Sequence, residues 1–241
     1  MNDPILLIVN ADDFGQSAGI NEGIIHAHEH GVVTSASLMV RGDAATSAAT
    51  YAKHRPQLSV GLHIDLGEWT FKSGEWLPMY AVVPLDDERL VNAEIRRQLD
   101  LFRNLLQRNP THIDSHQHVH RNGAALSVAT ALAEELHVPL RHCSPLIRYC
   151  GHFYGQPSTL VSDEHSVSAE ALAGIIGTLC PGITELACHP GCDEALPSDY
   201  VKERLWETRA LCSPEVQAAI QSAAVQLCAF DSPEVRFRLN S

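Results

Sequence analysis

Four stretches of this chain join an apolar run to side chains that can hold a cation or move a proton: NADD at 10–13, GLHID at 61–65, HIDSH at 112–116 and ELACHPG at 185–191. Adjacent carboxylates such as Asp12 and Asp13 can divide the labour of a hydrolase. One ligates a cation while its neighbour accepts a proton from the water that cation activates. Successive side chains on a strand point opposite ways, so both reach one site only if the chain leaves the strand there, and PheGly at 14–15 permits that departure. The plainer reading is a pair that caps the next helix.

His63 follows ValGlyLeu, and a lone histidine in such a place is more often a hydrogen-bonded core residue than a ligand. Company from other strands changes that balance. In HIDSHQHVH, residues 112–120, strand alternation puts Asp114 and His116 on one face, so that Asp114 either orients an imidazole or binds substrate. His116, nearest the strand end, is the ligand of choice; His118 and His120 read as rim residues, because Asn122 and Gly123 stop the strand. His189, before ProGly, is either part of a turn or a proton donor held protonated by nearby carboxylates. His26 and His30 have the i, i+4 spacing of a chelating pair, but they stand at a helix end on the wrong edge of a sheet and read as a solvated face.

The elements that must position these residues alternate between short β-rich runs and longer helical stretches, the pattern of βα units and a mostly parallel sheet. Strands are predicted at 5–11, 34–40, 58–65, 112–116, 139–143, 183–189 and 226–230. Helices are predicted at 19–30, 43–54, 87–108, 122–137, 168–179 and within 198–224. Residues 67–86 form an insertion bearing Trp69, Phe71 and Trp76, which either stack on a ligand or cover the mouth of the sheet, cover being the preferred reading. In such sheets the C-terminal strand ends form the functional rim, so side chains distant in sequence meet there.

No Pro/Gly/Ser-rich linker divides the 241 residues, so a single domain over 1–241 is expected. The formal net charge of -12, with no basic run beyond Arg96 and Arg97, argues against nucleic acid. The apolar run at 5–9 is too short for a signal or membrane segment. Seven cysteines, an odd number without a CxxC pair, suggest a reducing compartment, and the cytoplasm is the expected location.

The motifs VNADDFGQSAGINEGI at 9–24, GVVTSASLMV at 31–40, VGLHIDL at 60–66, THIDSHQHVH at 111–120 and CHPG at 188–191 together resemble the YdjC-like carbohydrate deacetylases. The resemblance runs from residue 5 to about residue 191 with the motifs in the family's order. It implies an α/β fold, a divergent TIM-like (β/α) barrel with mostly parallel strands. It also implies one divalent cation, Mg²⁺ or Zn²⁺ with Co²⁺ and Mn²⁺ as further options, on Asp13, His63 and His116. Asp12 takes the catalytic-base position and His189 the acid's, while Asp114, Tyr154 in the PheTyrGly segment at 153–155, and Trp69 are expected to contact substrate. Gln117 stands where some members carry a histidine.

The expected activity is therefore metal-dependent removal of the acetyl group from an N-acetylated amino sugar, whether a hexosamine, an oligosaccharide or a glycolipid, in a chain that acts alone or as a homodimer. Two alternatives stand beside it. One is an amidohydrolase or phosphoesterase using the His-x-His pairs at 116–120, although the first strand here ends in AspAsp. The other is a sugar-binding protein without catalysis, although the whole acid/base and ligand set is retained.

Overall fold

The run ILLIV at 5–9 is apolar toward both faces, and it becomes the fully covered central strand that a parallel sheet requires. The computed structural model describes residues 3–156, 161–192 and 199–239. In chain order the elements are β1 (Ile5–Phe14), α1 (Ala18–Glu29), β2 (Ser35–Leu38), α2 (Ala45–Lys53), β3 (Ser59–Ile64), β4 (Gly67–Lys72), β5 (Glu75–Ala81), α3 (Glu88–Leu106) and β6 (Ile113–Ser115). Then follow α4 (Gly123–Leu136), β7 (Ile147–Cys150), α5 (Ala169–Gly177), β8 (Gly182–Cys188), α6 (Lys202–Leu211), α7 (Pro214–Ser222), β9 (Val225–Cys228) and α8 (Pro233–Leu239).

The main sheet is parallel in the order β6-β3-β2-β1-β8-β7, with β9 also on β1. It curls into a half-barrel with helices outside, the α/β architecture expected from the alternating pattern. β8 takes one edge of β1 from Ile5 to Ala11, while β9 pairs with Ile5–Ile8 and β2 joins β1 from Asn10 onward. Beyond β6 the ladder continues only as a bridge between Ile113 and Leu140, so the strand predicted at 139–143 is a single contact. The chain turns back there, with Cys143 N–H and Ser144 N–H both donating to Leu140 O. At the opposite edge the sheet ends in β7, paired with β8, a strand absent from the sequence reading.

Alternation along β1 sorts its side chains into two layers. Leu7, Val9 and Ala11 belong to the large core shared with α1 residues Ile20 and Ile24. Leu6 and Ile8 point the other way, into a smaller cluster with Ile147, Ile183, Cys228, Phe230 and Val235. Asn10 and Asp12 share that inner face, so the interior is apolar at the start of the strands and polar at their ends. His112 lies against the inner cluster, stacked on Phe230 with ring centroids 3.7 Å apart. It lies so close to β3 that a Cβ on Gly61 would fall 2.4 Å from its Nε2.

Helix starts carry the expected caps: Ser17 Oγ accepts from Ile20 N–H, Asp87 accepts from Arg89 and Leu90, and Ser213 precedes Pro214 at the first turn of α7. The insertion at 67–86 is an antiparallel hairpin, β4–β5, closed by Ser73 and Gly74, both at positive φ. Phe71 and Trp76 on it are 43% and 58% exposed, so they do not cover a core as preferred from sequence. Among the described residues, no helix is long and apolar enough to cross a membrane.

Candidate active site

β1 delivers both of its carboxylates to one place because it stops being regular at Asp13. The register with β2 shifts between Ala11 and Phe14, and Asp13 adopts a φ of 66°. This is the departure from the strand that a shared site demands, and Asp12 and Asp13 both line a cleft of about 910 Å³. Asn21, on α1, holds the turn by accepting from Gly15 N–H at 2.7 Å.

Asp13 stands at the centre. Its Oδ1 accepts from His116 Nδ1 at 2.9 Å and lies 3.2 Å from His63 Nε2, and its Oδ2 accepts from Arg204 Nη2 at 2.5 Å. Asp13, His63 and His116 each offer one ligand atom, all within 4.8 Å of one another, and all three residues are buried. His63 Nε2 and His116 Nε2 are buried without a hydrogen-bond partner. A carboxylate with two imidazoles, two of whose nitrogens lack partners, suits a borderline divalent cation such as Zn²⁺, Co²⁺ or Mn²⁺. A second grouping, Asp12, His63 and Asp114, does not suit one, because Arg141 already occupies both carboxylates.

Behind the ligands lies a buried ionic layer. Arg141 donates through Nη1 and Nη2 to Asp12 at 2.6 and 2.7 Å, through Nη2 to Asp114 at 2.8 Å and through Nε to Glu185 at 2.7 Å. It thus ties together carboxylates on β1, β6 and β8. Asp114 Oδ1 meets His63 Nδ1 at 2.7 Å and its Oδ2 accepts from Ser37 at 2.6 Å. Asp114 is fully buried and does not line the cleft, which corrects its expected place at the substrate. Its lone pairs are spent on orienting His63, the support that ligand imidazoles commonly receive.

The charges follow from this layout. Burial pushes Asp12 up, but the Arg141 guanidinium outweighs it and holds the carboxyl below its usual range. Burial likewise opposes ionisation of Asp13, and Arg204 with His116 pulls it well down. His63 and His116 are lowered by burial yet raised further by Asp114 and Asp13 respectively, to about 10 and about 9. Glu185 is raised by burial to about 7.

His189 follows β8, in a loop clasped by α6. Its backbone N–H donates to Glu207, and its Nδ1 lies 3.9 Å from Glu207 Oε1. Its Nε2 is 3.8 Å from Asp12 Oδ2. Burial drives His189 down to about 4, so the imidazole is neutral at pH 7 rather than protonated as its carboxylate neighbours suggest from sequence. Glu207 is pushed by burial up to about 8 and accepts from Tyr200 OH at 2.5 Å.

The cleft walls are aromatic. Tyr154 lines one side, stacked on Tyr200 at 4.7 Å, and Trp69, Phe71 and Trp76 of the hairpin line another. The strand does not continue to His118 and His120: β6 ends at Ser115, and the chain enters a 3-10 turn with Gln117 and His118 at positive φ. His120 is buried between Ser115 Oγ and Arg141 O, while His118 reaches Tyr149 OH at 3.2 Å. Neither joins His116 in a ligand cluster among the described residues. Gln117 grips the hairpin, accepting from Trp69 N–H at 2.9 Å and donating to Trp69 O at 2.8 Å. His26 of α1 and His30, the residue that caps its C-terminus, stack on each other and do not line this cleft.

Sequence reasoning missed Arg141, Arg204, Glu185 and Glu207. A signal for the arginines existed in the charge count of the rim, since several carboxylates assigned to one buried place require cations beside them.

A curled parallel sheet with an acid–histidine cluster at its strand ends and an aromatic-walled cleft above it defines an α/β half-barrel with a site at its rim. The chain belongs to the YdjC-like protein family, whose profile matches residues 6–222. It is 35% identical to a carbohydrate deacetylase of Brevibacillus brevis, across 93% of this chain and 98% of that one. It is 33% identical to a chitooligosaccharide deacetylase of Serratia marcescens, with the same two coverages. Among solved structures, a cellobiose-phosphate cleavage candidate from Enterococcus faecalis superposes with a TM-score of 0.78 at 26% identity, over 95% of this chain and 98% of that chain.

Proposed function

We propose that this protein is a divalent-metal-dependent hydrolase that removes the acetyl group from an N-acetylated amino sugar. The carrying observation is the convergence of Asp13, His63 and His116 within 4.8 Å of one another beside the Asp12–His189 pair. The names of the similar deacetylases support the reaction class. In this reading Asp13, His63 and His116 hold the cation. Such a cation supplies Lewis acidity, polarising an amide carbonyl and making water a better acid.

The protein's own groups then manage the proton. Asp12, ionised beside Arg141, removes a proton from the water that attacks the acetyl carbon. His189 is neutral and its Nε2 lies 3.8 Å from Asp12, so it receives that proton and passes it to the departing nitrogen. The C–N bond breaks, a C–O bond forms, and the products are acetate and a free amino sugar. Trp69 and Tyr154 line the cleft, and aromatic rings there suit the C–H face of a sugar ring.

The test is acetate release from N-acetylhexosamines, chitooligosaccharides and lipid-linked acetamido sugars, after chelation and with Mg²⁺, Zn²⁺, Co²⁺ or Mn²⁺ restored. Activity that vanishes on chelation and returns with one ion is expected. Unchanged turnover in the chelated protein removes the metal from the scheme, and acetylated-sugar binding without any acetate favours a binding protein.

A further inference from the structure

Helix α6 reaches the site with side chains one turn apart. Arg204, Glu207 and Thr208 share one face, as residues three and four apart do. Glu207 accepts from His189 N–H, Thr208 Oγ1 accepts from Gly191 N–H at 2.9 Å, and Arg204 Nη2 donates to Asp13 Oδ2 at 2.5 Å. A single helix therefore grips both the loop that carries His189 and the carboxylate at the centre of the ligand cluster. Gly191 makes this possible: a Cβ there would meet Arg204 Cδ and Cβ at 3.1 and 3.2 Å, tight against the arginine stem.

We propose that Arg204 is a positioning residue for the ion site, fixing Asp13 by its second oxygen so that Oδ1 alone faces His63 and His116. This rests on the reading of those three residues as ligands. Asp13 needs such a hold because its backbone sits at a φ of 66°, a conformation a non-glycine residue adopts only when its surroundings impose it. Without a partner on Oδ2 the carboxylate can rotate about χ2 and offer either or both oxygens to the ion. The guanidinium removes that freedom. Its own side chain is 4% exposed, its Nη1 is 3.4 Å from His189 O, and its carbon lies over the Tyr200 ring at 5.9 Å, so it is itself held from three directions.

A cation beside a cation site also repels the ion, and the two effects have opposite signs. The contact favours orientation: the guanidinium engages Asp13 directly at 2.5 Å, and partners of metal ligands typically contribute about 10- to 100-fold in affinity.

The experiment titrates Co²⁺ into the metal-free protein, read by calorimetry and by the visible Co²⁺ absorption bands, for wild type, Arg204→Met and Arg204→Lys. Arg204→Met is expected to bind Co²⁺ about 10- to 100-fold more weakly with a changed spectrum, as loss of a ligand partner predicts. Arg204→Lys, which keeps the charge with one point of contact, is expected to fall between. Wild-type affinity and spectrum in both variants reduce Arg204 to a fold-stabilising ion pair. Tighter binding in Arg204→Met makes it an electrostatic brake and overturns the proposal. If circular dichroism finds Arg204→Met unfolded, the Arg204→Lys affinity and spectrum decide. Failure of the wild type to bind any Co²⁺ sinks the ion reading itself, a separate outcome.

Discussion

Arg141 holds Asp12 by both oxygens, at 2.6 and 2.7 Å, with both residues buried at the floor of the cleft that Asp12 lines. A carboxylate held this way stays ionised at neutral pH and keeps one orientation. Asp12→Asn, which preserves shape but cannot take up a proton, is expected to bind divalent ions as the wild type does and to lose about 10²- to 10⁴-fold in acetate release. Full activity in that variant would take Asp12 out of the base role.

Removal of a ligand acts differently from removal of the base. His63→Ala and His116→Ala are expected to lose both the bound ion, by metal analysis of the purified protein, and turnover. Asp114→Asn leaves the three ligands in place but weakens the hold on His63 Nδ1, and about 10- to 100-fold poorer metal affinity is expected. Unaltered affinity in Asp114→Asn would show that His63 needs no help in facing the site.

Gln117 ties the loop after β6 to the aromatic hairpin through both ends of its amide, an imitation of strand pairing with Trp69. Gln117→Leu is expected to raise KM several-fold with kcat little changed, because the hairpin loses its register over the cleft while the ligand set stays intact. Faster amide exchange at Trp69 is the accompanying signal. A kcat defect without a KM change would place Gln117 with the chemistry instead.

His112 gives the fold a pH limit of known sign. Burial lowers its pKa to about 3, against an ordinary value of 6.5, so in between the unfolded chain binds more protons than the native one. Its contribution is complete above pH 6.5 and is lost progressively as pH falls toward 3. His112→Gln removes the titration. Between pH 7.5 and 5.0 the wild type should lose about 2 kcal/mol relative to this variant, measured by denaturant unfolding at each pH. A gap that stays constant with pH would mean that His112 takes up its proton in the native state as readily as in the unfolded chain.

The fold was legible where one element decides its own form. The strand at 5–11 and the helices at 19–30, 87–108 and 122–137 all appear within a few residues of their expected bounds, since their apolar periodicity and caps are local. Two features were hidden. β7, with only IleArgTyrCys to announce it, is a strand because β8 pairs with it. The hairpin reads from sequence only as an insertion, although SerGly at 73–74 between two aromatic-bearing runs is a turn signal. At the site, the alternation argument anticipated the kink after Asp12 and the placing of Asp13, His63 and His116 near one another. For Asp114 it left open an imidazole partner or a substrate contact, and the bond to His63 Nδ1 is the first; parity says which face a residue takes and nothing about which partner fills it. Arg141 and Arg204 lay outside any motif, and only their long side chains bring them in.

The left-handed residue in β1 makes the aspartate pair untransferable as a dipeptide. Grafted onto an ordinary strand of another scaffold, AspAsp would send one carboxylate toward the cleft and the other into the opposite layer, where it would lie uncompensated. The scaffold would need the kink as well, at about 1–3 kcal/mol of backbone strain, with a guanidinium waiting for each acid.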